Sequence, residues 1–280
     1  MATVTQSVSP RQDSGPSAGR KFLHGLGWFL AHTGSIIALA IAWEWLARSG
    51  LVTPFQLPTL SSVLERIWTN AMTGDLFINT AVTLYRAIAG FLIAAVVGVL
   101  LGMAMSRIAF VRWFFDPIVS VGFPMPKVAF LPVIILWLGV YDASKITMIV
   151  VDAAFPVITA TIVGLRGVDQ YLLWSARNMG ASNRELLWQI ALPAALPQIM
   201  TGLQVALPIA LILAVFTEMV MGGYGLGGAM MQASRFADSR GVFAGILEIA
   251  VVGYVLVKAM AILRRRLLIW HQEAMAPSTV

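Results

Sequence analysis

Charged side chains stranded in apolar sequence are the first residues with chemical potential. Glu44, Lys127, Asp152, Glu218, Glu248 and Lys258 lie within long hydrophobic runs. A charge at the centre of a membrane helix costs roughly 2.5–3.5 kcal/mol, so several of these must face protein or water. Glu44 and Lys258 fall near the ends of their runs, where a side chain reaches the interface. Asp152 and Glu218 lie deepest, and Lys127 sits among prolines. Asp152, Glu218 and Lys127 are the candidate residues of a path for a polar solute. For the first two, bridging between helices is the equal alternative.

Other chemistries find no residues to carry them. The chain has no cysteine, which excludes disulfides, thiolate metal sites and cysteine nucleophiles. His24, His32 and His271 lie near the ends and form no ligand cluster, so neither a metal nor a cofactor is expected. Gly223-Tyr-Gly225-Leu-Gly-Gly228 fits a dinucleotide glycine string, but no strand precedes it, so it is taken as a flexible outer loop. No Walker lysine motif occurs. A membrane-embedded enzyme would need a cluster of His, Asp, Ser or metal ligands at one depth, and the expectation is that the chain is not an enzyme.

Positioning such charges falls to membrane helices. The 280 residues are 59% hydrophobic and 11% charged, with a mean hydropathy of +0.82. Soluble domains carry about a quarter charged residues. A span needs about 20 apolar residues, and six segments qualify: 28–47, 80–105, 116–138, 145–165, 198–221 and 241–262. Pro124, Pro126 and Pro132 interrupt the third. Pro156 and Pro208 suggest kinks in the fourth and fifth. The face Gly90, Ala94, Gly98, Gly102 permits close helix packing.

The net charge of +6 comes from clusters beside the apolar runs, with no basic face interleaved with aromatics such as nucleic acid requires. Arg20, Lys21, Arg107, Arg112, Arg166, Arg177, Arg184 and Arg264–Arg266 fall on one side of a six-span topology, against Arg48, Arg66, Lys145, Arg235 and Arg240 on the other. The positive-inside rule makes that side, and both termini, cytoplasmic. Residues 1–20 read as a disordered tail, residues 21–271 as the membrane domain and 272–280 as a second tail, with the first run an uncleaved anchor. On the outside, Leu60, Val63, Leu64, Ile67, Trp68 and Ala71 form an amphipathic helix, with Ser62 and Glu65 as its capping box.

The cytoplasmic connection 166–197 parses as two short helices. Asp169 caps the first and Gly180 ends it in a left-handed turn. Ser182 and Glu185 form a capping box for the second, and Pro193 and Pro197 are expected to stop it before the fifth span. The elbow offers Leu172, Leu173, Met179, Leu186 and Leu187 for burial by a partner, with an amphipathic loop resting on the membrane as the bland alternative.

The spacing Ala176, Gly180, Ile190, Leu192, Pro193 resembles the "EAA" signature of ABC importer permeases. Further stretches similar to the nitrate/sulfonate/taurine branch are Leu84-Tyr-Arg86 with Gly90, Gly98 and Gly102; Pro126 to Pro132 with Leu136-Trp-Leu-Gly139; Leu192 to Pro197 with Thr201-Gly-Leu203; and Gly225-Leu-Gly227. The resemblance runs from about residue 40 to 270. Trp174-Ser175 stand where the signature has Glu-Ala, so the acidic residue's contact does not carry over.

The resemblance implies an all-α, type I (MetI-like) bundle of six transmembrane helices in a bacterial inner membrane. It also implies a coupling helix at 174–187 that docks on an ATPase. The ATPase-coupling residues are then Trp174, Ser175, Ala176, Arg177, Gly180, Ala181, Ser182, Glu185, Leu187, Ile190 and Pro193. Expected partners are a second permease copy, two cytoplasmic ATP-binding subunits, a periplasmic substrate-binding protein and membrane lipid, but no nucleic acid. Small anions such as sulfonates, taurine or nitrate are the implied cargo. The rival is a proton-coupled secondary transporter using Asp152 or Glu218, against which stands the absence of an inverted repeat with broken helices.

Overall fold

The computed structural model describes residues 34–270. The expected tails at 1–20 and 272–280, and the start of the first expected span, lie outside the described residues. The chain divides into two compact units, up to Ser61 and from Ser62 onward. In the first, helix α1 runs over 34–48. Glu44 pairs with Arg48 at 2.6 Å and accepts from Ser61 Oγ at 3.0 Å, which settles the charge at the helix end.

Lipid offers no hydrogen-bond partner to the backbone, so apolar runs there close their bonds within helices. Among the described residues four helices are long and apolar enough to cross a membrane, or five spans if the bent pair at 109–138 counts as one. The four are α3 (Asp75–Arg107), α6 (Asp142–Arg166), α9 (Leu192–Met221, continuing a helix that begins at Asn183) and α11 (Ser239–Leu267). Between them lie α4 (Ala109–Gly122), a 3-10 turn (Lys127–Phe130), α5 (Leu131–Leu138), α7 (Gln170–Asn178), α8 (Asn183–Glu185) and α10 (Leu226–Arg235). Helix α2 (Leu60–Thr73) precedes α3. No strand occurs among the described residues.

Helices α3, α6 and α9 make the core, with Ala87, Ala94, Ile149, Ala153, Val157, Ala206, Ala210 and Ala214 buried between them. Small residues bring α3 and α6 together. A Cβ on Gly90, Gly98 or Gly102 would fall 2.5–2.7 Å from Ile149, Val157 and Thr161 respectively. These partners advance in step along both helices, so α3 and α6 run parallel. Gly164 lies against Ala195 and Gly202 against Ala160, so α9 runs antiparallel to α6. Helix α11 is peripheral: 11% of its most apolar window is buried, against 56% for the α9 helix.

Gly253 of α11 lies against Leu211 and Arg264 bonds Gln204, so α11 also runs antiparallel to α9. Arg107, Arg166 and Arg264–Arg266, at the C-termini of α3, α6 and α11, therefore share one end, the basic end, with the start of α9. The N-termini of α3, α6 and α11 and the C-terminus of α9 form the distal end.

The segment 116–138 is interrupted where Pro124 and Pro126 lead one to expect, whereas two other local expectations need correction. Helix α4 ends at Gly122, residues 123–126 are irregular, and the following helical segment departs at 100°. Pro124 and Pro126 each lack an N–H, and the residue before a proline avoids the helical region. Pro193 and Pro197, by contrast, break nothing, and the helix runs unbroken from Asn183 to Met221. A π turn at Leu186–Ala191 precedes them, with Leu192 N–H bonding Leu187 O, and its wider ring takes up the bonding that a proline disturbs. Lastly, α2 begins at Leu60, so Ser62 and Glu65 lie inside its first turns and not at a capping position.

Candidate functional site

The elbow at the basic end is built as its residue types require. Asp169 accepts from Tyr171 N at 2.8 Å and caps α7. The helix ends in a Schellman arrangement, in which Gly180 N bonds Arg177 O at 2.9 Å and Ala181 N bonds Ala176 O at 3.0 Å. That turn needs the positive φ of +89° at Gly180, which a residue with a Cβ adopts only at a cost. Ser182 and Glu185 then form a reciprocal capping box, Ser182 N donating to Glu185 Oε2 at 2.8 Å and Glu185 N to Ser182 Oγ at 3.3 Å. The Ser182 hydroxyl also donates to the Glu185 carboxylate, holding this exposed loop acid below its ordinary range. The lowered pKa leaves the cap intact at neutral pH; it is lost as pH falls through the carboxylate's folded-state value.

Two faces of the elbow differ sharply. Leu173 and Leu187 pack on a cluster of Met103, Leu165, Val168, Ala191, Ala195 and Ile199, and Ala176 and Leu186 are buried. The bundle itself thus covers three of the leucines expected to await a partner. Tyr171, Leu172, Trp174 and Met179 remain exposed, Met179 at 80%, and Tyr171 and Trp174 stack edge to face. Ser175, Arg177 and Pro193 are exposed, and Ala181 and Ile190 are half-buried.

At the distal end Glu218 is fully buried and its two oxygens are bonded. Arg86 Nη1 donates to Oε1 at 2.8 Å, while Thr83 Oγ1 and Gly227 N donate to Oε2 at 2.9 and 3.1 Å. Arg86 also pairs with Asp142 at 2.7 Å and donates to Tyr224 O at 2.6 Å. The 222–228 segment is therefore held firmly and is not a loose outer loop. Lys145 donates to Gly222 O, Gly225 N to Asn79 and Leu226 N to Thr83, each at 2.8–2.9 Å. A side chain at Gly225 would overlap the Glu218 carboxylate, and its φ is +127°. Sequence reasoning named Arg86 only within a family-like stretch, and missed it as a partner of Glu218 together with Thr83, Asp142 and Lys145. The signal available was Arg86 itself, a charge well inside an apolar run with no local partner.

Near the middle of α6, Asp152 pairs with Lys127 at 2.8 Å. Lys127 Nζ also donates to Phe123 O at 3.1 Å and lies 4.6 Å from the centre of the Phe155 ring. The structure brings Lys127 and Asp152 together and places Glu218 in the separate distal network. Glu248 bonds Asn70 at 3.0 Å, and Arg66 of α2 pairs with Asp238 at 2.5 Å. Among the described residues no group of three metal-ligating side chains occurs.

The family model described as "Binding-protein-dependent transport system inner membrane component" matches residues 94–269. The taurine transport system permease protein TauC of Escherichia coli strain K12 is 33% identical over 245 residues, 86% of this chain and 89% of that protein. The putative aliphatic sulfonates transport permease protein SsuC of Bacillus subtilis strain 168 is 33% identical over 88% of this chain and 89% of its own length. The nitrate import permease protein NrtB of Synechocystis is 28% identical over 94% and 96%. Among solved structures, a chain of the MetNI methionine ABC transporter in an inward-facing conformation gives a TM-score of 0.50 at 20% identity, covering 67% of this chain and 95% of that one. At that identity the likeness speaks to the fold alone. A family model spanning well over half of the sequence, and relatives a third identical across most of both chains, show that this chain belongs to the inner membrane components of binding-protein-dependent transport systems.

Proposed function

We propose that the chain is the membrane path of an ATP-driven importer, worked by alternating access between outward- and inward-facing bundles. The supporting observation is the elbow. Its inner face is locked to the bundle through Leu173, Leu186 and Leu187, its outer face is open, and one unbroken helix runs from Asn183 to Met221. Force applied to the outer face would travel along that helix to the Glu218 network at the distal end. In this reading the coupling residues are those of the EAA loop, 166–197, from Trp174 to Pro193. An ATPase that grips Tyr171, Trp174 and Met179 is the motor, and ATP is hydrolysed on that separate subunit.

The basic end faces the cytoplasm, as the arginines at the ends of α3, α6 and α11 favour, and both termini lie there. Residues 21–271 form the permease domain between two tails. Two copies assemble with two ATP-binding subunits and an extracytoplasmic binding protein, and cargo moves along the interface between the copies. The names of the relatives support a small anion as cargo: taurine, an aliphatic sulfonate or nitrate. Lys127 and Asp152 line the middle of the path, and Glu218 braces its distal mouth.

The test is co-purification. Tagged chain from its native membrane should retain an ATPase, and Gly180→Pro should release it, since proline cannot take the positive φ found there. Uptake that persists after deletion of the ATPase would overturn the proposal and favour a proton-driven carrier.

A further inference from the structure

We propose that Lys127 and Asp152 form a charge-exchange site, in which Asp152 neutralises the lysine while the path is empty and an anionic group of the cargo replaces it in transit. The inference rests on the importer reading and adds the residue that would read the cargo's charge.

Backbone geometry gives the first reason. Residues 123–126 are irregular, lie between two helical segments bent by 100°, and belong to a strongly apolar stretch. Non-helical backbone at membrane depth is tolerated only where protein buries it or a water-filled cavity borders it. Pro124, Met125 and Pro126 are exposed on this chain, so the bend itself does not bury them.

The unequal burial of the pair gives the second. The Lys127 side chain is 9% exposed and that of Asp152 is 23% exposed. The lysine is fixed from behind by the Phe123 carbonyl and the Phe155 ring, and Gly122 lies hard against that ring. Asp152 is the outer, replaceable partner. An anion can take its place and leave the lysine compensated. A neutral solute in its place would leave a buried charge unpaired, which is strongly unfavourable. A cation would have to displace the buried member of the pair.

Comparison with Glu218 gives the third. Glu218 is enclosed, with Arg86, Thr83 and Gly227 N on its two oxygens. Asp152 has Lys127 as its one ion-pair partner among the described residues. A brace is saturated, whereas an exchange site must give up its bond.

The chain has no cysteine, so an introduced thiol reports alone. Asp152→Cys, made in the full chain in its native membrane, is treated with two impermeant methanethiosulfonates, one carrying an ethylsulfonate and one an ethyltrimethylammonium group. Each rate is divided by that reagent's rate with a free thiol. The normalised sulfonate rate should exceed the cationic one by about tenfold or more, because the uncovered Lys127 attracts the anion at short range. Adding Lys127→Met should remove the preference. Met125→Cys provides a site that leaves the pair intact. It should label without a charge preference, and acquire one when Asp152→Asn is added.

Failure of both thiols to react with either reagent, a cationic preference, or a sulfonate preference that survives Lys127→Met would overturn the proposal. Labelling needs no ATPase, so the outcome is separable from loss of ATPase co-purification, which would instead overturn the importer reading.

Discussion

Arg86→Met is the substitution whose cost the distal network fixes most closely. It removes the donors to Asp142, Tyr224 O and Glu218 Oε1 in one step. Asp142 is half exposed and water replaces its partner. Glu218 has no such recourse, because it is fully buried and keeps only the Thr83 and Gly227 donors, both on its other oxygen. Removing one partner of a buried pair costs about 3–5 kcal/mol, mostly as the penalty of the stranded charge. With about 2–4 °C per kcal/mol for chains near this size, the apparent melting midpoint of the purified complex should fall by roughly 6–20 °C. Protease should also reach the 222–228 segment, which loses the Tyr224 anchor. Adding Glu218→Gln removes the stranded charge, so the double variant should melt above Arg86→Met alone. The reasoning fails if Arg86→Met melts within a degree or two of the parent. It fails equally if the two substitutions lower the midpoint additively, since coupled residues do not add.

Packing and elbow make further predictions. Gly98→Leu should weaken the α3–α6 contact by about 1–3 kcal/mol or more, because its Cβ would sit 2.7 Å from Val157; a lower melting midpoint than for Gly98→Ala checks it. Gly180→Ala should cost about 1–2 kcal/mol for the left-handed turn yet keep the ATPase bound, because open space surrounds that position. Co-purification read beside Gly180→Pro separates backbone shape from side-chain contact. Ser182→Ala should remove about 0.5–2 kcal/mol of capping, read as faster proteolysis within 178–186 without loss of the bundle.

The elbow was legible because it is local. Asp169, Gly180, Ser182 and Glu185 act on backbone groups within a few residues, and the structure forms those bonds where spacing places them. The long apolar runs likewise gave α3, α6, α9 and α11. What stayed hidden depends on distant partners. Glu218 finds Arg86 and Thr83 from another helix more than a hundred positions away, and nothing near either residue announces the pairing. Pro193 failed as a stop because whether a proline ends a helix depends on the bonding just upstream, and the π turn at Leu186–Ala191 supplies an alternative. The same residue type at Pro124 and Pro126 does interrupt the helix, with two prolines one residue apart and no such turn before them.

Shielding of one side chain reports most directly on whether a motor holds the elbow. Met179→Cys places a lone thiol at the most exposed large apolar residue of the loop, three residues before the capping box begins at Ser182. In inverted membrane vesicles an impermeant thiol reagent should label it readily when the ATPase subunit is absent and several-fold more slowly when it is bound. Labelling unchanged by the ATPase, or seen only when the reagent is applied from the opposite side of the membrane, would contradict coupling through this elbow.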